Sequence, residues 1–216
     1  MGKLLVIEGI DGAGKRTLTE ALVRSWRADG VRVATAAFPR YGESVHADLG
    51  SEALHGQHGD LADSVYGMAL MWALDRREHR AGLAAQVAAH DIVLLDRYVA
   101  SNAAYGCARL RQGPADGFAD WVREMEFERF GLPVPDRHLL LAVPVEVARE
   151  RARGREAQDA SRTRDAYERD EGLQARTAAV YEQLAAANWL APWTITRVGE
   201  LAGPDAIGAL AARLVG

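Results

Sequence analysis

The segment 9–17, which reads GIDGAGKRT, carries the residues best able to bind a phosphate group. Glycines in the spacing G-x4-G-K let the backbone fold around an anion with its N–H groups pointing inward, and the lysine adds a mobile cation. Among the 26 basic residues only Lys3 and Lys15 are lysines, so composition alone does not explain a lysine here. The pattern predicts a loop that binds the phosphates of a nucleotide through Gly9, Gly12, Ala13, Gly14, Lys15, Arg16 and Thr17.

Position 16 departs from this pattern, because a serine or threonine that contacts Mg²⁺ usually follows the lysine directly. Arg16 stands there, and Thr17 comes one residue later. A guanidinium group cannot bind a metal ion, but it does bind phosphate oxygens. We therefore expect carboxylates elsewhere to hold Mg²⁺, with Asp11 and Asp96 as the candidates.

A second group of polar residues follows the apolar run 92–95. Its members are Asp96, Arg97, Tyr98, Ser101, Asn102 and Tyr105. A carboxylate at the end of a buried strand beside a phosphate loop is where enzymes with such loops hold Mg²⁺. An adjacent arginine can form a forked pair with a phosphate. The sequence thus predicts a second anion site next to the first.

Apolar runs alternate with helical patterns, and this arrangement must bring the two groups together. Continuous apolar runs predict parallel strands over 4–7, 31–38, 92–95, 139–143 and 193–197. Helical spacing predicts helices over 15–28, 61–89, 101–110, 116–130, 145–153, 164–187 and 204–215. The expected fold is α/β, a doubly wound sheet of five parallel strands that binds ligands beyond its carboxyl ends. A single domain over 1–216 fits the length, and no repeat or linker interrupts it.

Composition and charge limit the classes of function. Hydrophobic residues make up 49% and charged residues 26% of the chain, as in ordinary globular proteins. The net charge of −4 argues against a general nucleic-acid binder, which needs a basic surface. No apolar run approaches the ~20 residues of a membrane span. The single cysteine, Cys107, excludes an intrachain disulfide and fits a reducing compartment. We expect a cytoplasmic protein that binds neither membranes nor nucleic acid.

Five motifs together resemble the thymidylate kinases, and most closely the actinobacterial type. They are the loop at 9–17, FPRY at 38–41, ALDR at 73–76, DRY at 96–98 with Ser101 and Tyr105, and RDAYE at 164–168. The resemblance implies the fold of P-loop nucleoside monophosphate kinases. It also implies transfer of the γ-phosphoryl group from ATP, with Mg²⁺, to dTMP, which gives dTDP for dTTP synthesis. No general base is needed, because the acceptor phosphate is already an anion at neutral pH.

The resemblance assigns catalytic roles residue by residue. Lys15 and Arg16 hold the donor phosphates, and Arg97 holds the phosphate of dTMP. Asp11 faces the dTMP side of the transfer with Mg²⁺ nearby. The segment at about 151–164 resembles the arginine-rich lid that closes over ATP, and Arg155 is the implied lid arginine. Closure excludes water and brings an arginine to the transferring phosphate.

The same resemblance implies a pocket for dTMP. Arg76 donates to a carbonyl of thymine, Asn102 contacts the edge of the base, and Tyr105 crowds the 2′ position. Trp72 stands where family members typically carry a phenylalanine stacked on thymine, and we expect its indole to stack as well. The other implied members of the pocket are Asp11, Phe38, Pro39, Tyr41, Arg97, Ser101, Tyr167 and Glu168. Glu168 also completes the implied metal ligands Asp11 and Asp96.

Other functions share parts of these patterns. The sequence argues strongly against a GTPase switch, because the guanine-reading Asn-Lys-x-Asp motif needs a lysine and none follows position 15. A non-catalytic ATP-binding module would not need Arg76, Arg97 and Tyr105. A deoxynucleoside kinase would typically carry Glu-Arg-Ser at 96–98, because a hydroxyl nucleophile needs a base. Other nucleoside monophosphate kinases share the loop but lack the Asp-Arg-Tyr set. The long apolar stretch 61–89 and the family both suggest a homodimer.

Overall fold

The computed structural model describes the chain over residues 2–158 and 165–216, except for the side chains at 155–158, 171 and 204. Within these ranges, no helix is long and apolar enough to cross a lipid bilayer. Arg155 lies in a helix, but its side chain is outside the described part, as are most of the residues assigned to the lid.

Five parallel strands form one sheet in the order β2-β3-β1-β4-β5. Their bounds are β1 Lys3–Glu8, β2 Val33–Ala37, β3 Ile92–Asp96, β4 Arg137–Ala142 and β5 Trp193–Arg197. The central strand β1 is hydrogen-bonded to β3 on one side and to β4 on the other. Its apolar residues are almost wholly buried, as expected for a strand covered on both faces. The predicted five-stranded parallel sheet is confirmed.

The helices of the described residues are α1 Lys15–Ala28, α2 Val45–Leu54, α3 Val65–Ala89, α4 Val99–Leu110, α5 Phe118–Arg123, α6 Val145–Gln158, α7 Ala166–Arg169, α8 Glu171–Ala186 and α9 Pro204–Val215. A π-helical segment, Glu124–Arg129, continues α5. Helix α1 packs on β1, β2 and β3 and against α9, while α8 packs on β4 and β5. Helix α2 was not anticipated from the sequence.

Three predicted helices, over 61–89, 116–130 and 164–187, proved to be too long. A change to a π-helical segment divides 116–130, and capping side chains mark where helices begin in the other two stretches. The stretch 61–89 begins as a short 3-10 turn, and α3 starts only where Ser64 Oγ accepts a hydrogen bond from the N–H of Gly67 at 3.0 Å. In 164–187, Asp170 ends α7 and caps α8 by accepting from the N–H of Leu173 at 2.8 Å. Such side-chain acceptors satisfy the unpaired N–H groups of a first helical turn.

The carboxyl ends of the strands lie at one edge of the sheet, and the chain reverses there. The N–H of Arg97 donates to the carbonyl of Ile7 at 2.9 Å, and the N–H of Phe38 donates to the carbonyl of Asp96 at 3.0 Å. These bonds tie the residues that follow β1, β2 and β3 to one another. The phosphate loop, the FPRY motif and the DRY motif therefore meet above the sheet.

Candidate active site

A cavity of about 550 Å³ opens above the carboxyl ends of β1, β2 and β3. Its wall contains eleven of the twelve residues assigned to the dTMP pocket: Asp11, Phe38, Pro39, Tyr41, Trp72, Arg76, Arg97, Ser101, Asn102, Tyr105 and Tyr167. Leu54 and Asp165 complete the wall. Glu168 lies instead at a smaller neighbouring cavity of about 310 Å³, which Asp11 also lines.

Arg97 and Asp11 form an ion pair in the wall of this cavity, which is called the acceptor cavity below because it contains the residues predicted to bind dTMP. An Nη2 atom of Arg97 donates to Asp11 Oδ1 at 2.6 Å, and the hydroxyl of Tyr105 donates to Asp11 Oδ2 at 2.5 Å. Burial raises the pKa of the Asp11 carboxyl, but the positive charges of Arg97 and Lys15 outweigh it, and the pKa lies well below its usual value. Asp11 is therefore ionised at every pH at which the protein would work.

The backbone of Arg97 is in the left-handed region, with φ 67, which is uncommon for a residue with a side chain. Strained backbone of this kind persists where surrounding bonds hold it, often at functional sites. An Nη1 atom of Arg97 donates to Ser101 Oγ at 3.1 Å and to the hydroxyl of Tyr181 at 3.4 Å. The guanidinium is thus held from two sides while facing the cavity.

Glu8 supports the hydrogen-bond network around Arg97, and the sequence analysis did not identify it. Its carboxylate is completely buried and accepts from Ser101 Oγ at 2.6 Å, from Tyr181 at 2.9 Å and from the N–H of Tyr98 at 3.0 Å. Burial raises its pKa, although the hydrogen bonds and the charge of Arg97 oppose the shift. Glu8 is a carboxylate at the end of the apolar strand β1. Asp96 was identified from the sequence by the same feature, a carboxylate at the end of an apolar run.

Arg76 and Asn102 also line the cavity, and Glu126 holds both of them. Arg76 is 3% exposed, and its Nε and Nη2 atoms donate to Glu126 at 2.5 and 2.7 Å. Asn102 donates to the same carboxylate at 2.8 Å and to the carbonyl of Ala69 at 2.9 Å. Glu126 belongs to the π-helical segment, a distortion that often marks functional sites. Sequence reasoning missed Glu126.

Aromatic rings make up much of the remaining wall of the cavity. Trp72 lies edge-on to Tyr41, with ring centroids 6.4 Å apart at 86°. Tyr105 and Tyr167 stack at 5.9 Å and 17°. Arg97 lies 5.2 Å from the Tyr105 ring, and Arg109 lies 5.0 Å from the Tyr167 ring. The result is a column of two tyrosines between two guanidinium groups, which cation–π attraction stabilises.

Lys15 points back into its own loop. It is 8% exposed, and its ammonium donates to the carbonyls of Gly9 and Ile10 at 3.1 and 3.0 Å. Burial and the nearby Arg97 lower the pKa of Lys15 to about 8, against the opposing charges of Asp96 and Asp11. The loop packs closely on α6, since a β-carbon at Gly12 would lie 2.0 Å from the carbonyl oxygen of Ala148.

Arg16 and Thr17 lie on the outer side of the loop. Arg16 is on the surface, where its Nε is 3.0 Å from Glu20. Thr17 borders an open groove of about 970 Å³. The groove also includes Ala13, Gly14, Leu18, Leu141, Arg151, Val198, Leu201 and Ile207. Arg151 donates to the carbonyl of Ala13 at 2.9 Å, so a lid-side arginine does contact the loop.

The three carboxylates assigned to a metal ion differ in their surroundings. Asp96 Oδ1 is buried and has no hydrogen-bond partner among the described residues. Asp11 is paired with Arg97, and Glu168 faces the small cavity that Asp11 shares. Among the side chains that the structure describes, no three or more His, Cys, Asp or Glu residues are grouped so as to hold a metal ion. A bound ion would need oxygens from a substrate as well.

Comparison with known proteins agrees with this geometry. The family model described as thymidylate kinase matches residues 7–195 of the chain. The thymidylate kinase of Mycobacterium tuberculosis is 56% identical over 192 residues, which cover 89% of this chain and 90% of that protein. The thymidylate kinase of Xanthomonas oryzae pv. oryzae is 39% identical over 171 residues, 78% and 68% of the two chains. That of Desulfotalea psychrophila is 35% identical over 165 residues, 73% of each.

Proposed function

The chain belongs to the thymidylate kinase family, whose reaction is the phosphorylation of dTMP to dTDP by ATP, and we propose that this reaction takes place between the phosphate loop and the acceptor cavity. The observation that carries the proposal is the composition of the cavity wall. Arg97 in this wall is paired to Asp11, and Arg76 and Asn102 in the same wall share the buried Glu126 in a separate hydrogen-bond network. This arrangement suits a ligand with a phosphate at one end and a polar base at the other.

ATP is assigned to the loop and the groove beside it. The N–H groups of the loop and of the first turn of α1 face the phosphates, where the helix adds the positive end of its dipole. Lys15 exchanges its two carbonyl partners for phosphate oxygens, and Arg16, Arg151 and Arg155 supply further positive charge. The groove past Thr17 accommodates the nucleoside of ATP, since apolar residues such as Leu201 and Ile207 line it.

The phosphate of dTMP is assigned to Arg97, within reach of the transferred group. This phosphate is largely a dianion at neutral pH, because its second pKa is about 6. Catalysis therefore consists of positioning and charge neutralisation, without a general base. Tyr105 donates its hydroxyl to Asp11 and so keeps its ring against the sugar, where it disfavours a 2′-hydroxyl. Arg76 and Asn102 hold the base edge, and Trp72 stacks on it.

Mg²⁺ is part of the proposal, and the residues present suit it. The candidate ligands Asp11, Asp96 and Glu168 offer only oxygens, which Mg²⁺ prefers, and Asp96 Oδ1 is a buried oxygen without a partner among the described residues. Mg²⁺ usually takes one or two carboxylates together with substrate phosphates, so a three-carboxylate cage is not required. When bound, it would neutralise charge on the phosphate oxygens.

The test is ADP formation with one acceptor at a time: dTMP, dUMP, the ribose form of TMP, CMP, AMP, GMP and thymidine. Turnover confined largely to dTMP is expected. Arg97→Gln should lower kcat/KM for dTMP by about a thousandfold, because a phosphate-binding charge is lost. Arg111→Gln is the matched control and should change little, because Arg111 is exposed just after α4 and has the same left-handed backbone conformation as Arg97, which precedes α4. Phosphorylation of thymidine but not dTMP would instead indicate a nucleoside kinase.

A homodimer in the cytoplasm completes the proposal. On α3, Leu70, Met71 and Leu74 share one side of the helix and are only partly buried in the single chain. Tyr66, at the start of the helix, is 49% exposed although it is apolar over most of its surface. A second copy packed on this side would cover them. Light scattering should give twice the mass of the chain, and the mass of one chain would refute the dimer.

A further inference from the structure

Gly50 lies in the middle of α2, where the indole of Trp72 packs against the helix backbone. A β-carbon at Gly50 would lie 2.5 Å from Cη2, 2.6 Å from Cζ3 and 3.1 Å from Cζ2 of this ring. Gly50 is itself buried and helical, so its conformation does not require a glycine. A glycine is intrinsically a poor helix former compared with alanine. Space for the indole is therefore the physical reason for a glycine here.

The same indole also lines the acceptor cavity. Trp72 lines that cavity together with Leu54, which is four residues after Gly50 on the same helix. Tyr41 lies edge-on to the same indole, with ring centroids 6.4 Å apart. Any side chain at position 50 would have to push the ring away by about 1 Å, from 2.5 Å to an ordinary contact of 3.4 Å. Since Trp72 lines the acceptor cavity, that cavity offers space for the displaced ring.

We propose that Gly50 is a specificity-determining positioning residue, which sets the width of the base end of the acceptor pocket by receiving the benzo ring of Trp72. This inference rests on the proposed function, in which Trp72 contacts the base of dTMP. A larger ring on α3 needs a smaller residue on α2. The two positions therefore act as one unit, and a change at one has an effect that depends on the other.

The test is a double-mutant cycle of Gly50→Ala and Trp72→Phe. Gly50→Ala alone should raise KM for dTMP about tenfold, because the displaced indole narrows the pocket, while kcat and KM for ATP change less than about twofold. In the Trp72→Phe background, the smaller ring leaves room for the β-carbon. The double variant should then have a KM within about twofold of Trp72→Phe alone.

Gly208→Ala is the matched control, since Gly208 is also helical and an added β-carbon there meets nothing within 4 Å. It should leave all kinetic constants unchanged. Thermal unfolding provides a second readout that does not depend on turnover. Gly50→Ala should lower Tm with Trp72 present and should raise or preserve Tm with phenylalanine, because helix propensity then acts without a clash.

Two results would overturn the inference. One is an unchanged KM for dTMP in Gly50→Ala; the other is the same rise in KM in both backgrounds, which would show that Gly50 acts independently of Trp72. Neither result bears on the proposed function, which fails only if the unaltered protein does not phosphorylate dTMP. Gly50→Ala could lower Tm with Trp72 and not with phenylalanine, while KM for dTMP stays unchanged. That result would support the packing of the indole against Gly50 and refute the specificity role.

Discussion

The depressed pKa of Lys15 predicts that ATP binding weakens as the pH rises above 8. The group has a pKa of about 8 because it is buried and lies near Arg97. Bound phosphates would favour the charged form and return its pKa toward the usual value of about 10.4. Below pH 8 the ammonium is already charged and ready for phosphate. Above pH 8 the free protein increasingly holds a neutral amine, which must take up a proton before it can pair with ATP.

The size of the effect follows from the fraction of charged Lys15 in the free protein. With a pKa of about 8, the apparent Kd for ATP should rise about eightfold between about pH 7.5 and about pH 9, or about 1.3 kcal/mol. At pH 8, binding should take up about half a proton. The phosphates of ATP do not interfere, since their own titration lies near pH 6.

The assay is titration calorimetry with ATP in the absence of an acceptor, in buffers of different ionisation enthalpy. Lys15→Arg should abolish both the pH dependence and the proton uptake, because a guanidinium stays charged throughout this range. Lys3→Arg replaces the one other lysine, which lies at the opposite end of β1, and should retain both. A Kd that stays constant from pH 7.5 to 9 in the unaltered protein would refute the reasoning.

Two further predictions concern buried groups. Glu126→Gln should raise KM for dTMP about tenfold with a smaller effect on kcat, because Arg76 and Asn102 lose their shared carboxylate. Glu128→Gln, on the same π-helical segment, is the control and should have no effect. Equal kinetic changes in both variants would contradict this role of Glu126. His138 is buried against Trp193, neither ring nitrogen has a hydrogen-bond partner among the described residues, and burial lowers its pKa to about 3. The unfolded imidazole binds a proton below about pH 6.5 and the folded one does not, so the free energy of unfolding should fall by about 2 kcal/mol between pH 7.5 and 5 through this residue alone. In urea unfolding, the free energy of unfolding of His138→Leu should fall less over this pH range than that of the unaltered protein, by about 2 kcal/mol. An identical pH profile for both proteins would show that burial does not lower the pKa of His138 in this way.

Much of the site could be predicted because its signals are local. The loop at 9–17 and the residues after Ile92–Asp96 can be identified from residue type and spacing alone. Parallel strands then place their carboxyl ends at the same edge of the sheet. The confirmed sheet follows from the same logic. The roles of individual residues, such as Arg16 on the surface beside Glu20, stay predictions, because they depend on nucleotides and on the lid.

The residues that support the site could not be predicted in the same way. Glu126 meets Arg76 from 50 residues away, and its segment alternates acidic with apolar residues without a period that marks a buried carboxylate. The boundaries of the divided helices could not be predicted for a different reason. Ser64 and Asp170 are ordinary polar residues within helical patterns, and only the geometry of the first turn identifies them as caps. Helix α2 has no strong periodic apolar face to reveal it.

The column of Arg97, Tyr105, Tyr167 and Arg109 gives the site a direct mechanical link between its two halves. Tyr167 lines the acceptor cavity. The next residue on α7, Glu168, lines a smaller cavity together with α6, the helix that contacts the phosphate loop through Arg151. Because Tyr105 stacks on Tyr167, we expect a compound that tilts Tyr105 to shift α7 as well. Inhibitors designed for the acceptor pocket should be ranked by the change they cause in ATP affinity, and not by their own affinity alone.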